Sequence, residues 1–143
     1  MFCTAFHRHH LHCSDIMISP SAPPKPTAAE LEILRLLWRV GAASAKQIHE
    51  LAVQERPETT YANALRLLQV MHTKGLLVRD ESQRAHVYAP AHSQDALQTN
   101  LVKDFIRKAF SGSGKDLVMA ALRGHVTQAE RDEIQAFLDQ EKK

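Results

Sequence analysis

The apolar positions fall into short stripes at helical spacing, separated by capping residues, glycine and proline. Leu31, Leu34 and Trp38 recur at i, i+3 and i+7, with Ile33 and Leu37 widening the face. They follow the capping-box run Thr27-Ala28-Ala29-Glu30 and predict a helix over about 27–39 that Gly41 ends. Ser44-Ala45-Lys46-Gln47 is a second capping box. It opens a short helix with Ile48, Leu51 and Ala52 on its buried side. Pro57 marks the next boundary, because the residue before a proline disfavours helix. A third helix is expected over about 58–74, with Ala64, Leu65, Leu68 and Met71 as its buried stripe and Gly75 as its stop. Thr60, Tyr61, Asn63, Arg66 and Gln69 lie off that stripe and carry donors, acceptors and one permanent charge.

The period then changes. The runs 76–79 and 85–90 are rich in β-formers and flank the polar link 80–84, which is a hairpin signal. Alternation puts Val87 on one face of the second run and His86 and Tyr88 on the other. Three short helices followed by a hairpin predict a winged helix-turn-helix domain over 27–92. Its second and third helices form the helix-turn-helix and the hairpin is the wing.

Residues 93–143 read as helical throughout. Leu97, Leu101 and Phe105, with Val102, Ile106 and Ala109, make a stripe that Ser111-Gly112-Ser113-Gly114 breaks. Leu117, Val118, Ala121 and Leu122 stripe a second helix. Ile134, Phe137 and Leu138 stripe a third, behind the capping box Thr127-Gln128-Ala129-Glu130. Three such helices make a thin core by themselves. This segment is therefore expected to be a dimerisation module, with Leu97, Leu101, Phe105, Leu117, Leu122, Ile134, Phe137 and Leu138 as its pairing residues. The alternative is a monomer in which these helices fold back on the N-terminal domain. The expected fold class is mainly α with a small β-hairpin wing.

Composition narrows the partners. A chain of 143 residues, 44% hydrophobic and 24% charged, is ordinary for a soluble globular protein. No apolar run approaches the roughly 20 residues that span a bilayer, so membrane insertion is not expected. The net charge is only +2, and residues 27–92 hold eight Lys/Arg against seven Asp/Glu. A nucleic-acid partner must therefore be held by local positive charge. Cys3 and Cys13 are the only cysteines and make no disulfide framework. The first residues lack a signal-peptide core, so a cytoplasmic protein is expected.

Residues 1–26 differ from the rest. His7, His9, His10 and His12 cluster between Cys3 and Cys13, and Pro20, Pro23, Pro24 and Pro26 follow. The proline stretch predicts a disordered N-terminal extension. The cluster offers imidazole and thiolate ligands but matches no zinc-module spacing, so no metal and no cofactor are assigned. A regulator responding to metal or redox state through this cluster is an alternative. So is a start at Met17, with 1–16 an upstream start artefact. The chain has no Gly-rich phosphate loop, no Gly-x-Ser-x-Gly and no His-Glu-x-x-His, which argues against an enzyme. A winged helix that binds protein in place of DNA is the remaining alternative.

On the DNA reading, Asn63 and Arg66 are the candidates for base edges, since Arg to guanine is the commonest specific contact. Thr60 and Tyr61 are assigned to phosphates. Lys46 and Gln47 sit at the positive N-terminus of the second helix and can reach the DNA backbone. Arg79, Arg84 and His86 belong to the wing, placed for phosphates or a minor groove. Each has a structural counterpart: Tyr61 packing on the second helix, the wing charges as a solvated loop, and Gln69 and His72 as purely structural.

The run Glu30-Leu31-Glu32-Ile33-Leu34…Leu37-Trp38, the Lys74-Gly75-Leu76 end of the third helix and Val87-Tyr88 of the wing resemble the BlaI/MecI penicillinase-repressor family over about 27–140. The resemblance implies a homodimeric winged-helix repressor that reads an inverted-repeat operator upstream of β-lactamase or other cell-envelope genes, hence a role in antibiotic resistance. It also implies release when a membrane-bound sensor metalloprotease triggers cleavage in the C-terminal module, here around Phe105–Phe110. Two departures stand out. Ala62-Asn63 replaces a Thr pair frequent in the family, which shifts the expected base preference toward adenine. The C-terminus has no cysteine pair, which argues against copper sensing by that branch's mechanism.

Overall fold

The computed structural model describes residues 23–143. The N-terminal expectations, the His/Cys cluster and the Met17 start among them, lie outside the described residues. The described residues divide into two compact units, one running to Asn100 and the other Leu101–Lys143.

In the first unit, α1 (Ala28–Val40) starts at a complete capping box. The Thr27 hydroxyl accepts from the Glu30 N–H, and the Glu30 carboxylate accepts from the Thr27 N–H. A two-residue strand, β1 (Ala43–Ser44), follows and leads directly into α2 (Ala45–Glu55). Ser44 and Gln47 form the second capping box. A turn through Pro57 leads to α3 (Tyr61–Lys74), and β2 (Leu77–Asp80) and β3 (Val87–Pro90) form the hairpin.

The hairpin is part of a three-stranded antiparallel sheet in the order β1-β3-β2. Arg79 opposes Tyr88 on one side of β3, and Ala43 opposes Tyr88 on the other. The strand β1 is too short to leave a period-2 signature, and it was not among the expected elements. The core is built from Ile33, Leu34, Leu36 and Leu37 of α1, Ile48 of α2, Leu68 and Met71 of α3, and Leu76, Leu77 and Tyr88 of the sheet region.

Three expectations are corrected. Helix α3 begins at Tyr61, not near residue 58. Thr60 is its cap, in extended backbone (φ −88°, ψ 152°), with its hydroxyl accepting the Asn63 N–H at 3.2 Å. Leu65 is only half-buried, so the buried stripe is Ala64, Leu68 and Met71. His86 and Tyr88 do not share a surface. Strand β3 starts at Val87, which leaves His86 in the exposed turn, whereas Tyr88 is 1% exposed in the core.

Helix α4 (Gln94–Ala109) spans the boundary between the units. Within the first unit, Leu97 is buried and the Trp38 indole donates to the His92 carbonyl at 3.4 Å. In the second unit α4 ends where Ser111 and Gly112 take positive φ (50° and 86°). Helix α5 (Gly114–Gly124) starts at Ser113, whose hydroxyl accepts the Asp116 N–H, and α6 (Gln128–Glu141) starts at the third capping box. The Arg131 guanidinium donates to the Leu122 carbonyl, joining α6 to the end of α5. Neither α5 nor α6 has a buried residue. Phe105, Val118, Met119, Phe137 and Leu138 are all exposed, Phe137 by 60%. Among the described residues, no helix is long and apolar enough to cross a membrane.

Candidate nucleic-acid interface

The outward face of α3 follows from its inward one. Ala64, Leu68 and Met71 fix the rotation of the helix against the core. Asn63 and Arg66, one turn apart, are thereby left exposed together with Ala62, Gln69, Val70 and Thr73. Tyr61 is 46% exposed. At the other end Gly75 adopts the left-handed conformation (φ 87°), and its N–H closes onto the carbonyls of Met71 and His72.

Helix α2 supplies the next part of the surface. Lys46 and Gln47 are exposed in its first turn. Gln47 is only partly available, because its side-chain carbonyl accepts the Ser44 N–H at 2.9 Å; its amide NH2 is not used in the capping box. Among the described residues none pairs with the charge of Lys46 or Arg66. Both can therefore meet an anion without first breaking an internal ion pair.

The sheet register joins the wing to this surface. Ser44, the cap of α2, pairs with Val87 at the root of β3. Lys46 thus lies two residues along the chain from Ser44, whose partner Val87 adjoins His86. Arg84 and His86 are exposed in the turn between β2 and β3. Arg79 is different. It lies half-buried opposite Tyr88, and its guanidinium is paired with Glu81. Hydrogen bonding to Glu81 first, then to Tyr88, pushes its pKa up further. Its Nε is buried without a partner among the described residues. Glu81 therefore offsets much of the charge that Arg79 could offer a phosphate.

One contact matches the alternative reading of Tyr61 as packed on the second helix, and three others were not foreseen from the sequence. His49, one turn into α2, has Nε2 2.9 Å from the Thr59 carbonyl, and its ring stands edge-on to Tyr61, with centroids 5.8 Å apart at 88°. Arg56, in the turn, pairs with Glu32 of α1 at 2.6 Å. Lys74 pairs with Glu30 at 2.7 Å. The available signal for His49 was its position beside Ile48 on the edge of the α2 stripe. Among the described residues there is no cluster of His, Cys, Asp or Glu suited to a metal ion.

The residues assigned to pairing are placed unequally. Leu97 is 2% exposed in the first unit. In the second unit Leu101, Leu117, Leu122 and Ile134 are half-buried, while Phe105, Phe137 and Leu138 are exposed. Phe105 stacks edge-on with Phe110 (5.6 Å, 70°). Val126, Glu130, Glu133, Ile134 and Phe137 line a shallow, open cleft.

Comparison with known proteins gives this arrangement relatives. The penicillinase repressor family model matches residues 26–140. The transcriptional regulator BlaI of Mycobacterium tuberculosis is 31% identical over 109 residues, which cover 76% of each chain. The penicillinase repressor of Staphylococcus aureus is 23% identical over 91 residues, 64% of this chain and 71% of that one. Among solved structures, the DNA-binding domain of the repressor BlaI aligns with TM-score 0.46 at 19% identity, over 52% of this chain and 89% of that one. The monomeric form of Bacillus licheniformis BlaI in complex with the blaP half-operator aligns with TM-score 0.45 at 19% identity, with the same coverage. These relatives are transcriptional regulators and repressors, not enzymes. With its family model spanning nearly all the described chain, this protein belongs to the penicillinase repressor family.

Proposed function

We propose that this chain is a homodimeric transcriptional repressor that binds an inverted-repeat operator in double-stranded DNA. The observation that carries the reading is α3, buried along Ala64, Leu68 and Met71 and exposing Asn63 and Arg66 beside Tyr61. A helix held this way can enter a major groove with its N-terminal half toward the bases. Asn63 and Arg66 take base edges, and Thr60 and Tyr61 take phosphates. Lys46, Gln47, Arg84 and His86 hold the flanking backbone, with Arg79 joining once it releases Glu81. Membership of the penicillinase repressor family and the likeness to the transcriptional regulator BlaI support DNA as the partner.

The second copy is supported by the second unit. Helices α5 and α6 bury no residue within one chain, and Phe105, Phe137 and Leu138 face solvent. Leu101, Phe105, Leu117, Leu122, Ile134, Phe137 and Leu138 form the pairing surface, and the burial of Leu97 gives it a role in the first unit. The working division is a DNA-binding domain over 27–92 and a dimerisation module over 93–143. Cleavage of that module around Phe105–Phe110, prompted by a membrane-bound sensor metalloprotease on a cell-envelope or antibiotic signal, releases the operator in the cytoplasm.

Selection of duplexes from a random pool by the full-length protein tests this. An enriched sequence with two-fold symmetry is expected, its half-sites about one or two helical turns apart. Recovery of no preferred sequence would falsify the reading.

A further inference from the structure

The entry to α3 is held by a residue that contributes nothing to its reading face. The Thr60 carbonyl accepts the Ala64 N–H at 3.0 Å and so belongs to the helix ladder. The Thr59 carbonyl is the first one outside that ladder and has no backbone donor among the described residues. His49 Nε2 lies 2.9 Å from it. A carbonyl oxygen only accepts, so Nε2 carries the proton. The same imidazole stands edge-on to Tyr61 at 88°, an arrangement favoured by the ring quadrupole. On its other side the turn is tied down as well. The Thr59 N–H donates to the Arg56 carbonyl at 3.0 Å, and Arg56 pairs with Glu32 of α1.

We propose that His49 is a positioning residue for sequence reading: through the Thr59 carbonyl and the edge of the Tyr61 ring it sets the approach of α3 before DNA arrives. This rests on the DNA-binding reading above. His49 itself is half-buried beneath the turn that leads into α3, so its part is positional. Its effect is on register. A tilt or slide of the first turn of α3 displaces Asn63 and Arg66 from base edges, where geometry is strict. It leaves the long, flexible charges Lys46 and Arg84 able to follow the phosphates. His49 therefore discriminates between sequences and adds little to general affinity for DNA.

The test uses the full-length protein, a duplex that the wild type enriches from a random pool, and a scrambled duplex of equal length and composition. His49→Leu keeps the bulk and removes the donor, whereas His49→Gln keeps a donor of similar reach. His49→Leu is expected to lose about five- to tenfold in affinity for the enriched duplex, with scrambled-duplex affinity unchanged within about twofold and His49→Gln restoring most of the loss. Tyr61→Leu should be strongly non-additive with His49→Leu, because the two act through one contact. Equal weakening on both duplexes, or additive losses with Tyr61→Leu, would mark His49 as a stability residue and overturn the proposal. Wild-type affinity of His49→Leu for the enriched duplex also overturns it. If the wild type enriches no duplex, the DNA-binding reading itself falls, a result distinct from these.

Discussion

The Glu30 carboxylate, in the first turn of α1, accepts a hydrogen bond from the Lys74 ammonium, in the last turn of α3, at 2.7 Å across 44 positions of sequence. Glu30 is 3% exposed and also caps its own helix through the Thr27 N–H. One carboxylate thus joins the start of α1 to the far end of α3. Burial pushes its pKa up. The hydrogen bonds from Lys74 and Thr27 and the Lys74 charge outweigh burial and hold the carboxyl below its ordinary range.

Stability should therefore depend on acid in a defined direction. A carboxyl with a depressed folded-state pKa stabilises the fold fully above its unfolded value, and that contribution is lost as pH falls through the folded value. The window lies within and below the ordinary carboxylate range. Glu30→Gln is expected to cost about 1–3 kcal/mol at neutral pH, with the gap to wild type narrowing on acidification. Urea midpoints of both proteins across that window provide the check, and a gap independent of pH would count against the ion pair.

Arg66 and Arg84 should fail differently. Arg66→Ala is expected to lose about 1–3 kcal/mol on the enriched operator and to relax preference at one position. Arg84→Ala should weaken all duplexes alike and lower the salt slope by about one. Fluorescence anisotropy titrations at several salt concentrations separate the two, and wild-type behaviour of both variants would remove this surface from consideration.

Leu101→Asp and Phe137→Asp place a charge on the open apolar faces of the second unit. Each is expected to shift the protein from dimer to monomer by light scattering and to weaken operator binding, since two half-sites are then no longer bound by one particle. A dimer of wild-type mass from both variants contradicts the pairing surface proposed here.

Gly75 at φ 87° can be tested directly. Nothing lies within 4 Å of a Cβ built there, so backbone strain alone opposes a side chain. Gly75→Ala should cost about 1–2 kcal/mol. Gly75→Asn should cost less, because Asn tolerates this conformation better. A thermal midpoint in Gly75→Ala equal to wild type would mean that the end of α3 relaxes.

The elements were legible where local chemistry decides them. Thr27, Ser44 and Thr127 start helices through capping boxes, and Gly75 stops one, because these interactions span only three or four residues. The exposed face of α3 followed from its apolar stripe for the same reason. Contacts set by the tertiary fold were not legible. β1 forms only because β3 passes beside it. Lys74 meets Glu30, and His49 meets the Thr59 carbonyl, through packing that no period encodes, whereas the contact of Tyr61 with α2 was one of the two readings its position allowed. Arg79 looked like a free cation of the wing, but its neighbour Glu81 was already positioned to take it.

Ser44 is at once the last residue of β1, paired with Val87, and the cap of α2. Its pairing ties the root of β3 to the start of α2, and only Gly75 and Leu76 lie between α3 and β2, so the wing is joined to the helix-turn-helix on both sides. On the proposed reading the two act as the jaws of a caliper. A base pair inserted between the contacts proposed for α3 and those proposed for the wing should then weaken binding. On the proposed reading the protein measures a distance along the duplex as well as a sequence.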